Sequence, residues 1–75
     1  MAGAILTDVT EQDREIQISA LYSIFSTDML LGLRRAFVLD GEAAELGHDP
    51  ACVAFCVRRI ELIDRELSSR GVLFG

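Results

Sequence analysis

Hydrophobic residues between positions 28 and 70 recur at the three- and four-residue intervals of a helix, with polar residues in the gaps. Wound at about 100° per residue, Met29, Leu30, Leu33, Ala36, Phe37, Ala43 and Ala44 share one broad arc, and Arg34, Arg35, Glu42 and Glu45 lie off it. Cys52, Val53, Cys56, Ile60, Ile63 and Leu67 form a second arc, opposed by Arg58, Glu61, Arg65 and Glu66. Start and stop signals frame both runs. Ser26 or Thr27 suits an N-cap with Asp28 in the first turn, and "GHDP" at 47–50 offers a helix-ending Gly, a capping Asp and a Pro for the first helical position. Gly71 after Arg70 reads as a stop, with Val72 folding back on the helix end. The pattern therefore predicts helices over residues 28–46 and 50–70, joined by a tight turn into an antiparallel hairpin.

Each predicted helix carries a second, narrower apolar stripe, Leu31 and Val38 on one, Phe55 and Leu62 on the other, which the hairpin alone leaves open. The segment "TEQDREIQISALYSIF" is available to cover part of it, and its pattern allows two structures. Thr10 and Asp13 resemble a capping box, with Ile18, Leu21 and Phe25 at helical spacing. Alternatively Ile16, Ile18, Ala20, Tyr22 and Ile24 alternate with polar residues, as in a strand with one buried face. The helical reading is preferred because its cap is local and the following elements are helical. The expected fold is all-α: one small domain over residues 1–75, a hairpin with an N-terminal helix packed on it.

The strand reading leads elsewhere. "EIQIS" ahead of two helices resembles the ribbon-helix-helix repressors, a resemblance that implies a dimeric DNA-binding regulator with strand side chains in the groove. The outward residues would be Glu15, Gln17 and Ser19, and the chain carries a net charge of −5. Acidic surfaces repel phosphate backbones, so nucleic acid is not the expected partner. The negative charge sits in the first two thirds, where Asp8, Glu11, Asp13, Glu15, Asp28, Asp40, Glu42 and Glu45 face only Arg14, Arg34 and Arg35. All seven basic residues are Arg, the side chain suited to planar pairing with carboxylates.

With 75 residues, 51% of them hydrophobic, the chain holds more apolar surface than so small a fold can hide, which points to a homo-oligomer, a dimer at the least. No apolar run reaches the roughly 18 to 20 residues that span a bilayer, so no membrane partner is expected. The first residues lack a basic lead and a secretory apolar stretch, so the expected compartment is the cytoplasm, with both cysteines reduced.

Catalytic groups are not evident: there is one His, no phosphate loop, and Ser68 and Ser69 have no base nearby in sequence. No cofactor is expected. One metal candidate is His48, Cys52 and Cys56, spaced by four, with Asp40 brought near by the turn; these are all zinc-ligand types, and they equally suit two core thiols and a solvent-facing His. Asp40 stands on the apolar arc, where an isolated carboxylate is costly, so it is expected to pair with Arg59 or to face a partner. Leu73 and Phe74 form an apolar tail suited to docking. The expected function is non-enzymatic: a protein-binding adaptor, or an inhibitor that occludes a partner, working through Leu31, Val38, Asp40, Phe55, Leu62, Leu73 and Phe74.

Overall fold

The computed structural model describes residues 11–72. They form three helices, α1 (Glu11–Ile24), α2 (Thr27–Leu46) and α3 (Pro50–Ser69), with no strand among the described residues. Residues 15–24, which alternate in sequence, are helical throughout, so the resemblance to ribbon-helix-helix proteins loses the element that carried it. Thr10, the expected cap of this helix, lies outside the described residues, as do Leu73 and Phe74.

Local chemistry sets the helix ends. Ser26 Oγ accepts from the Met29 amide at 3.1 Å, and Asp49 Oδ1 accepts from the Cys52 amide at 3.1 Å with Pro50 beginning the helix. Each cap satisfies one of the amides that a helix start leaves without a partner. At the end of α3, Gly71 turns left-handed at φ 80°. Its amide reaches the Ser68 carbonyl at 3.0 Å and the Val72 amide reaches Leu67 at 3.0 Å, while Val72 packs on the core beside Leu67. This is the Schellman stop that the sequence predicts. The end of α2 differs from expectation by one residue. Gly47 keeps a negative φ, and His48 takes the left-handed position at φ 56°. The amides of His48 and Asp49 then satisfy the carbonyls of Glu45 and Ala44. The imidazole is carried on a backbone geometry that side chains with a Cβ disfavour.

Packing follows from which face each helix offers. The hairpin is antiparallel: Arg34 lies beside Asp64, and a Cβ on Gly41 would stand 3.4 Å from that of Cys56. Small residues, Gly41, Ala44 and Cys56, thus let the helices approach near the turn. Large ones fill the far end, where Leu30, Ile63 and Leu67 are fully buried. Each such side chain contributes about 1.5 to 3 kcal/mol by leaving water. Tyr22 from α1 and Leu62 from α3 complete this cluster, flanked by Ile18, Phe25, Leu33 and Phe37. Four residues of the expected inward arcs are instead on the surface: Met29, Ala36 and Ala43, which turn to the outward side of α2, and Leu21, because Tyr22 supplies the inward face of α1 between Ile18 and Phe25.

Helix α1 lies along α3 and runs in the same direction, with Glu15 beside Arg58 and the carbonyls of residues 22–25 beside Arg70. Two arginines make this attachment. Arg58 grips Glu15 through both Nε and Nη2, and this hydrogen bonding holds the Glu15 carboxyl below the usual carboxylate range. Arg70 does more. Its Nη2 donates to the carbonyls of Tyr22, Ser23 and Phe25 at 3.1, 3.1 and 2.7 Å, its Nη1 to Thr27 Oγ1 at 3.2 Å and its Nε to Glu66 at 2.8 Å. One guanidinium therefore caps the carbonyl end of α1, holds the start of α2 and stays neutralised by its own helix.

Replacing Arg70 by Ala removes donors from several carbonyls at once, and the protein is expected to lose about 2 to 3 kcal/mol of stability. Arg70→Lys should recover only part of this, since one ammonium cannot serve that spread of acceptors. Denaturant midpoints of the three proteins check it; equal midpoints for wild type and Arg70→Ala would remove Arg70 from the account.

Candidate functional site

With α1 covering one side of α3, the hairpin presents its other side openly. There the helical spacing brings two stripes together: Leu31, Arg34 and Val38 from α2, and Val53, Val57, Ile60 and Asp64 from α3. Arg34 Nε donates to Asp64 Oδ1 at 2.6 Å across the seam and ties the two stripes together. Around that pair the surface is apolar. Leu31 is 40% exposed and Val57 50%, with Val38, Val53 and Ile60 half-buried. A charged pair in the middle of an open apolar strip gives orientation to whatever covers it, while contributing little to stability itself because both groups remain in contact with water.

The expected site residues divide between this face and others. Leu31 and Val38 belong to it. Phe55 and Leu62, expected to share their exposure, lie on the α1 side. Leu62 is 3% exposed, sealed in the core beneath α1, and is no surface residue at all. Phe55 is half-exposed, set edge-on against Phe37 with ring centroids 6.1 Å apart. Sequence reasoning passed over Val57, and took Val53 and Ile60 for core. The signal was present in the Val53, Val57, Ile60 and Asp64 spacing, but it overlaps the core arc of the same helix.

At Asp40 the expected pairing with Arg59 is absent. Asp40 is exposed, and Arg59 does not approach it; the Arg59 guanidinium stacks on the Phe55 ring at 4.8 Å from the centroid. The reason is local. Arg59 follows Phe55 by four residues, one turn along α3, so the ring is the nearest surface for its long side chain. Asp40 lines a notch beside the turn together with Phe37, Cys52, Phe55 and Cys56. Its place on the apolar arc marks the edge of the hairpin seam.

The metal candidates are also separated. Asp40, Cys52 and Cys56 line that notch, whereas His48 lines a different hollow with Glu45, Pro50 and Val53. Burial pushes the Cys56 thiol up, with further contributions from Cys52 and Asp40. Among the described residues no group of three or more His, Cys, Asp or Glu is arranged to hold a metal ion. Both cysteines are free, Cys56 in the core and Cys52 half-buried. Ser69 Oγ donates back to the Glu66 carbonyl at 2.7 Å. No helix among the described residues is long and apolar enough to cross a membrane. Compared with protein-family models, curated proteins and solved structures, the chain matches none.

An exposed Asp40 is expected to be dispensable for folding. Asp40→Ala should shift the denaturant midpoint by no more than the equivalent of about 0.5 kcal/mol, the range of ordinary surface substitutions. A loss several times larger would restore a structural ion pair at this position.

Proposed function

We infer that the chain is a non-enzymatic protein-binding module, an adaptor or an inhibitor that occludes its partner, and that it self-associates. The observation that supports this is the open face of the hairpin, where Leu31, Val38 and Val57 surround the Arg34 and Asp64 pair. Hydrophobic side chains there stay in water although the fold has a core to place them in, which is the arrangement of a surface awaiting a protein. Part of the polar chemistry of the chain supports the same reading, because it is engaged in its own architecture. Arg34, Arg58 and Arg70 bind carboxylates of the same chain, and Asp49 and Ser26 cap helices. A net charge of −5 argues against a nucleic-acid partner. The fitting partner offers an apolar strip, such as one face of an amphipathic helix, with a polar group placed to meet Arg34 or Asp64.

The test is affinity capture from the source cell, with wild type compared with Leu31→Glu and Val57→Glu. A defined protein should be retained by wild type, and each variant should lose at least roughly tenfold in affinity, as expected for a buried interface residue, while keeping its helical circular dichroism. Retention unchanged in both variants would overturn the assignment of this face.

A further inference from the structure

The outward side of α2 carries a feature that neither the core nor the open hairpin face uses. Met29, Gly32, Ala36, Leu39, Ala43 and Leu46 are spaced three, four, three, four and three, the repeat of a coiled-coil seam. All six are exposed, Met29 at 55%, Leu39 at 56% and Leu46 at 85%. They lie well around the helix from Leu30, Phe37, Gly41 and Ala44, which face α3. Gly32 is informative in its own right. Glycine in a helix interior costs stability relative to alanine, and a Cβ there would meet nothing of its own chain within 4 Å. Its own fold gives Gly32 no reason to lack a side chain, whereas a second helix lying close against α2 does.

We propose that this seam binds the α2 helix of a second copy of the chain, antiparallel, about a two-fold axis near the middle of α2. The proposal rests on the self-association in the reading above and specifies its surface. The seam is complementary to itself in this direction: Met29 meets Leu46 of the second copy, Gly32 meets Ala43 and Ala36 meets Leu39, so one register satisfies every layer. Charge selects the same direction. The second half of α2 carries Asp40, Glu42 and Glu45 with no base, and the first half carries Arg34 and Arg35 against Asp28, so reversal sets the acidic half of one copy beside the net basic half of the other, with Arg35 as the base on the rim. On the rim, exposed Arg35 of each copy comes opposite exposed Glu42 of the other, twice per dimer. In a parallel pair the acidic ends would meet, like charge against like. A closed two-fold contact of this kind ends at the dimer.

Sedimentation of the full chain at tens of micromolar tests it. Wild type should be a dimer, and Leu39→Glu a monomer with unchanged helical content. Arg35→Glu and Glu42→Arg should each weaken association by on the order of tenfold, since each turns both rim pairs into like charges. Mixed in equal amounts, those two variants should dimerise again with each other, because the mixed pair restores attraction across the rim. A monomeric wild type, a dimer untouched by Leu39→Glu, or a mixture no tighter than its components would overturn the proposal. Leu31→Glu and Val57→Glu should leave the dimer intact, so failure of the seam and failure of the hairpin face are read separately.

Discussion

Three helix ends meet at one guanidinium. Arg70 donates to carbonyls at the end of α1, to the hydroxyl that opens α2 and to a carboxylate of α3, the helix it caps. Only Phe25 and Ser26 separate α1 from α2, and this short link offers the final carbonyls of α1 one turn bond, from the Phe25 amide to the Tyr22 carbonyl at 3.2 Å. Arg70 supplies further donors. By doing so it fixes the point where Tyr22, Leu30 and Leu67 come together, and the large buried side chains of the protein are gathered at this end. The turn end is held differently, by the close fit of Gly41, Ala44 and Cys56, which have little apolar area to bury. The fold is therefore strongest where Arg70 closes it.

The placement of α1 has consequences for the surface. By lying along one side of α3, α1 takes Leu62 out of water and leaves the strip around Val57 open on the other. A fourth helix would be needed to close that strip, and the described residues provide none. The outward side of α2 is open for the same reason. The proposed self-association and partner binding rest on these two separate apolar surfaces.

Much of this was legible in the sequence because helix ends are decided within a few residues. Ser26, Asp49, Pro50 and Gly71 act on their own neighbours, and each occupies the position that its local chemistry predicts. The antiparallel register was legible too, since the turn at residues 47–49 sets which levels of α2 and α3 face each other. What stayed hidden depends on distance along the chain. Leu62 became core because α1 came to lie over it, and Arg70 looked like a residue preceding a stop because its acceptors outside its own helix are more than forty positions away. The Arg59 and Asp40 pair was inferred from level alone, and a level does not say that Arg59 has Phe55 one turn behind it. His48 in the left-handed position was concealed by the adjacent Gly47, to which residue type assigns that role.

Helix α1 is a full member of the folded unit, bound along α3 by Glu15, Tyr22 and the carbonyls that Arg70 caps. Amide hydrogen exchange measures this directly, since a helix joined to the core exchanges only with the core. The amides of residues 18–25 should exchange at rates set by global unfolding, together with those of Ile63 and Leu67. Exchange of residues 18–25 at the rate of an unfolded peptide, while α2 and α3 remain protected, would contradict the account.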